Sequence, residues 1–117
     1  MQSCCMSNRD TIIVQKILSY CQQIQETHLF FHDDQELFFS EEAGFVYRNS
    51  ISMPILQIGE LAKRLSDEFR KEYHTIPWRA ITRMRDIFAR HYGSVDNMEL
   101  WQTSHADIEA LKTELEK

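Results

Sequence analysis

An all-α bundle is the fold this sequence predicts, and three observations predict it. Only three glycines and two prolines occur in 117 residues, too few to punctuate a sheet protein with turns. No stretch alternates apolar and polar residues at strand period. Apolar residues recur instead three and four positions apart, the spacing of a helix with one buried face. The length suits a single domain, residues 1–117. The share of hydrophobic residues, 43%, and of charged ones, 26%, is ordinary for a folded chain.

Ser7 opens the first helix, and Asp10 three positions on gives a variant of the capping box. Ile13, Ile17, Tyr20 and Ile24, flanked by Val14, Leu18 and Cys21, carry the apolar stripe to about Thr27. Residues 28–40 read as a connector with one helical turn. It carries Leu29, Phe30 and Phe31, an acidic stretch, then Leu37, Phe38 and Phe39, and its aromatics are expected to pack on the bundle. A second helix spans about 41–73 and is kinked near Pro54, because proline removes one hydrogen bond and crowds the preceding turn. After the kink, Ile55, Ile58, Leu61, Ala62 and Leu65 form one face. His74, Thr75 and Ile76 lead to Pro77, which suits the first turn of a third helix. That helix runs to about His91 and stops at Gly93. Asp96 and Glu99 start the last one, which buries Leu100, Trp101, Ile108, Leu111 and Leu115. Four main helices result.

Several function classes are excluded at this level. No run approaches the roughly 18 apolar residues of a membrane-spanning helix. The first residues show no basic region followed by an apolar one, so no signal peptide is expected. Cys4, Cys5 and Cys21 are an odd number, two of them adjacent, and form no disulfide framework. A reducing, cytoplasmic setting follows. Cysteine and histidine never fall at paired ligand spacing, so neither metal nor cofactor is expected. The net charge of −5 argues against a general nucleic-acid-binding surface. Its distribution differs from its sum. Residues 45–92 hold nine of the 13 basic residues against five acids, a local +4 that could guide a phosphate-bearing ligand to one place. A set of solvated helix faces would give the same count.

The segment 85–92 concentrates the chemistry. At 100° per residue, Trp78, Ile81, Phe88, Ala89 and Tyr92 lie within about 60° of Arg85. Arg79, Arg83, Asp86 and Arg90 lie on the far side, in water. Arg85 thus sits on an otherwise apolar face, where an unpartnered charge is costly. It is either ion-paired inside the bundle, with Glu60 as a candidate, or it lines an anion site where a planar guanidinium grips phosphate with two bonds. His91, just before the helix stop, is the one side chain there that titrates near neutral pH. It could be an acid/base catalyst or a partner of the helix dipole.

Three blocks resemble the HepT-like family of HEPN domains. They are Pro54-Ile55-Leu56-Gln57-Ile58-Gly59-Glu60-Leu61-Ala62-Lys63-Arg64-Leu65, Ile76-Pro77-Trp78-Arg79-Ala80-Ile81, and Met84-Arg85-Asp86-Ile87-Phe88-Ala89-Arg90-His91-Tyr92-Gly93-Ser94-Val95-Asp96. The resemblance implies an up-down bundle, a homodimer, and a toxin paired with a minimal nucleotidyltransferase of the MNT type. It implies metal-independent cleavage of RNA by a signature of Arg, four to six residues, His, one residue, Tyr. It also implies that the partner adenylylates the signature tyrosine. A four-residue gap from Arg85 places Arg90 where the family has histidine and Tyr92 at the tyrosine. A five-residue gap makes His91 the histidine and puts Gly93 at the tyrosine position. The resemblance thus assigns Arg85 and His91 to catalysis and Tyr92 to modification; the neighbouring arginines Arg79, Arg83 and Arg90 are, by their charge, the candidates for binding RNA phosphates. Because Arg90 replaces the usual histidine, the alternative is a non-catalytic helical partner of the nucleotidyltransferase.

Overall fold

The computed structural model describes residues 7–91 and 96–117, the side chains of residues 87–91 apart. Helix α1 covers Asn8–Phe30, α2 Gln35–Phe39, α3 Gly44–Arg64, α4 Asp67–Glu72, α5 Trp78–His91, α6 Asn97–Gln102 and α7 Ile108–Leu115. A π-helical turn, Thr103–Asp107, joins the last two into one continuous rod. There is no strand among the described residues, so the all-α expectation holds.

Helix α3 is the centre of the molecule, with α1 packed on one side and α5 on the other. Ile13, Val14, Ile17, Cys21 and Ile24 of α1 meet Ile51, Ile55, Ile58 and Ala62 of α3, all buried. Ile81 and Met84 of α5 and Leu100, Ile108, Leu111 and Leu115 of the terminal rod close the core. No helix among the described residues is long and apolar enough to cross a membrane.

The caps fall where side-chain chemistry put them. The Ser7 hydroxyl accepts the Asp10 N–H at 3.1 Å, and Asp96 accepts that of Met98 at 2.9 Å. α3 passes through Pro54, so the Ser50 carbonyl cannot receive its usual bond from four residues on.

Three expectations about the elements need correction. First, α1 runs one turn beyond Thr27. That extra turn points His28 inward and leaves Leu29 and Phe30 in solvent, 74% and 76% exposed, so the Phe30 ring does not pack on the bundle. Second, the expected helix over 41–73 is two helices. Leu65 is extended, and Ser66 starts α4 by accepting the Phe69 N–H at 3.1 Å. Third, the last helix contains the π turn, which places Thr103 and Ser104 in the interior.

The break at Leu65 is held by Asp10, which is buried. Its carboxylate accepts the Ser66 N–H at 3.0 Å and the Ser66 hydroxyl at 2.7 Å. Burial alone would raise the Asp10 pKa, but the bonds from Ser66 and Ser7 together hold it below the usual carboxylate range. Asp10→Ala strands both Ser66 donors and is expected to cost about 1–3 kcal/mol at neutral pH. The folded-state pKa is the lower one, so this stabilisation is present above the unfolded value of about 3.9. It is lost as pH falls through the folded value. Thermal melts of wild type and variant should therefore converge below about pH 4. A gap that stays constant into strong acid would contradict this role.

Candidate functional site

The site begins at a helix crossing. α5 lies so close to α3 at Gly59 that a Cβ there would overlap the Arg85 Cβ and sit 3.3 Å from the Ile81 carbonyl oxygen. The missing side chain is what lets Arg85 lie against α3.

Arg85 is neither buried nor free. Its side chain is 29% exposed. Its Nε donates to Glu60, and its Nη1 donates to Asp86 Oδ1 at 3.0 Å. Lys63 Nζ reaches the same Asp86 oxygen at 2.9 Å. Two cations and two anions thus alternate across the α3–α5 seam. The bond to Glu60, then that to Asp86, raises the Arg85 pKa further, and bonds from Lys63 and Arg85 lower that of Asp86. Both groups stay charged over the whole physiological range. The two acids take the Nε and one Nη1 hydrogen, so the fork keeps other donors.

Arg85 also faces open space. A cavity of about 330 Å³ is lined by Leu56, Gln57, Glu60, Leu61, Arg64 and Arg85. A second, of about 360 Å³, is lined by Lys16, Ser19, Tyr20, Gln57, Leu61 and Arg64. Gln57, Leu61 and Arg64 belong to both, so one groove crosses from α5 over α3 to α1. Among the described residues no acid pairs with Arg64 or Lys16. The groove therefore carries three cations, one of which is held by acids.

The other candidate residues are distributed around α5. Arg83 is exposed and ion-paired with Glu99 of α6. Arg79 lines a different cavity, of about 490 Å³, with Arg70, Lys71 and His74. Arg90 and His91 are the last residues of α5, but their side chains, and Tyr92 altogether, lie outside the described residues. As helical positions, Arg85 and His91 are about 120° apart. Among the described side chains of α5, Met84 and Ile81 are the most deeply buried, so Arg85 stands at the edge of the face they form. Sequence reasoning overlooked Arg64, Gln57 and Lys16. The first two had a signal: 57, 60 and 64 share one face of α3, a polar ridge beside its apolar stripe. Lys16 had none, because only packing brings α1 alongside.

Comparison with known proteins places the chain. A "Probable ribonuclease HepT" of Thermococcus cleftensis is 42% identical over 60 residues, 51% of this chain and 54% of that protein. A "Gamma-glutamylcyclotransferase and putative RNase" of Methanocaldococcus jannaschii is 45% identical over 60 residues, 51% of this chain but 27% of that protein. A "Putative RNase" of the same organism is 35% identical over 81 residues, 66% of this chain and 67% of that protein. In the first two, the match spans about half or less of the relative's length. No solved structure matches. The family model described as "Ribonuclease HepT-like" matches residues 14–117. That span takes in the helix crossing, the groove and the whole 85–92 segment, and the chain belongs to the ribonuclease HepT-like family.

Proposed function

We propose that this chain is an endoribonuclease that cleaves RNA without a metal ion, acting as the toxin of a toxin–antitoxin pair in the cytoplasm. The observation that carries the proposal is Arg85: a guanidinium fixed by Glu60 and Asp86 at the end of a groove that leads to Arg64 and Lys16. Such a groove suits an RNA backbone, with Arg64 and Lys16 on flanking phosphates and Arg85 on the scissile one. The 2′-hydroxyl attacks the adjacent phosphorus, the bond to the 5′-oxygen breaks, and a 2′,3′-cyclic phosphate remains. Arg85 stabilises the charge that builds on the phosphorane oxygens. His91 takes the proton of the 2′-hydroxyl or supplies one to the leaving 5′-oxygen. Arginine, always protonated at neutral pH, cannot serve as the base. A homodimer with its two α5 helices side by side would bring His91 of one chain toward Arg85 of the other.

The test is cleavage of a labelled RNA in EDTA, with the product ends identified. We expect a 2′,3′-cyclic phosphate, and about a 10²-fold loss in His91→Ala. Unchanged cleavage in that variant rejects the role of His91. One residue favours a second reading: Arg90 stands where the family pattern has histidine. If the wild type does not cleave and Arg90→His does, the protein is a non-catalytic partner of a nucleotidyltransferase.

The same segment would be the point of control. In this reading the Tyr92 hydroxyl attacks the α-phosphorus of ATP on a minimal nucleotidyltransferase of the MNT type, and pyrophosphate leaves. Mass spectrometry after incubation with that enzyme and ATP should show one adenylyl group, absent in Tyr92→Phe. Adenylylation that survives the substitution assigns it to another residue.

A further inference from the structure

Tyr47 and Glu60 lie 13 residues apart on α3, about 20 Å along its axis. Around Tyr47 the fold assembles a second polar cluster. His28 comes from the end of α1 and is buried. Asp33 follows it in a tight turn in which His32 and Asp33 both have positive φ, 58° and 53°. His105 comes from the π turn, and its ring centroid lies 3.9 Å from that of His28.

The hydrogen bonds fix where the lone pairs point. The Ser104 hydroxyl donates to the Trp101 carbonyl at 3.0 Å, so its oxygen accepts the Nε2–H of His28, also at 3.0 Å. His28 Nδ1 is left as the acceptor. It receives the Tyr47 hydroxyl and lies 3.7 Å from Asp33 Oδ1. His105 Nδ1 donates to the same Trp101 carbonyl at 2.8 Å, which leaves its Nε2 lone pair facing Asp33 Oδ1 at 2.6 Å. Nitrogen and carboxylate oxygen approach that closely only with a proton between them; two ligands of one zinc ion, each about 2.0–2.2 Å from it, stand about 3 Å or more apart, so the Asp33 carboxylate draws back as an ion takes the proton's place. One donor atom from each of His28, Asp33 and His105 falls within 4.8 Å of the others.

We propose that His28, Asp33 and His105 form a binding site for one divalent transition-metal ion, with Zn²⁺ the best match. Two imidazole nitrogens and one carboxylate oxygen are the donor set of zinc and its neighbours. Magnesium and calcium require oxygen donors in greater number. The outer partners are also in place: Ser104 and the Trp101 carbonyl hold each ring in the tautomer that presents its lone pair inward. A cavity of about 400 Å³, lined in part by Gln25, Ser104 and Glu109, opens onto the cluster and gives an ion a route in. On binding, the proton shared by His105 and Asp33 leaves to solvent, and the Tyr47 hydroxyl turns away from His28 Nδ1.

The test uses the full chain without a histidine tag. Zn²⁺ and Mg²⁺ are titrated by calorimetry and in thermal melts, and Co²⁺ is followed by its visible spectrum. We expect one zinc ion per chain, a melting temperature raised by zinc and not by magnesium, and cobalt bands of nitrogen and oxygen ligands. His105→Ala and Asp33→Asn should each weaken zinc binding by about tenfold or more. These two side chains are partly exposed, 32% and 58%, so both variants should fold, which circular dichroism checks. Absence of zinc binding at micromolar concentration overturns the proposal. So does binding that persists in both variants, or a sulfur-to-cobalt charge-transfer band, which would assign the ion to cysteine.

Discussion

Replacing Arg85 by alanine is expected to lower RNA cleavage by about 10²–10³-fold while the chain stays folded. The size follows from what a preorganised cation does in a phosphoryl transfer. Charge builds on the phosphorane oxygens only in the transition state, so a guanidinium already fixed in position costs no reorganisation there. Glu60 and Asp86 supply the fixing. The ion pairs themselves are partly exposed and screened by water, so their loss weakens the fold little. The loss should therefore appear in kcat more than in KM. Arg85→Lys should recover only part of the rate, because a point charge cannot span two oxygens as the planar fork does. Arg64→Ala, on the groove wall, should behave differently: it should raise KM and flatten the salt dependence of binding, as removal of a phosphate contact does. Single-turnover rates at saturating RNA, with melts of each variant, separate these cases. If Arg85→Ala cleaves at the wild-type rate, Arg85 is only a structural ion-pair partner of Glu60.

The second large effect is expected at Gly59, a residue with no functional group. In an exposed helix, glycine to alanine stabilises by about 1 kcal/mol. Here the added methyl would meet the Arg85 Cβ and the Ile81 carbonyl, both fixed by the backbone of α5, so neither can rotate away. Overpacking of this kind costs about 1–3 kcal/mol, which exceeds the propensity gain or cancels it. The consequence for cleavage should be larger than for stability. α5 can relieve the overlap only by moving off α3, and it carries Arg85 with it. Displacements near 1 Å at a positioning group can cost about 10²-fold. Gly59→Ala is thus expected to melt within a few degrees of wild type yet cleave about 10–10²-fold more slowly, and Gly59→Leu should be worse in both. An alanine variant with a higher melting temperature and an undiminished rate would show that the crossing has room to spare.

Much of the fold could be read from the chain itself. The Ser7 and Asp96 caps, the stripes of α1 and α3, and the start of α5 after Pro77 are local matters: each depends on residues within two turns of one another. The signal for the break at Leu65 was present too, since Ser66, Asp67 and Glu68 form a cap followed by acids. The apolar continuity of α3 outweighed it. The family of the chain was equally legible, because its three blocks are contiguous strings.

The placement of the chemistry was not local. Asp10 and Ser66 are 56 residues apart, Glu60 and Arg85 25, and Asp33 and His105 72. Sequence periodicity says which face of a helix is buried, and nothing about which residue of another helix it meets. It named Glu60 as a possible partner of Arg85 but could not decide whether that pair would be sealed in a core or set beside a groove. Gly59 decided this, by admitting α5 to the surface of α3. The histidines of the second cluster carry no ligand spacing along the chain. The extra turn of α1 and the π turn rotate them toward one another, and a helix's length and local winding are settled only when its neighbours pack against it. The sequence by itself determined the helices and the family; the tertiary structure alone decided which charges and lone pairs converge.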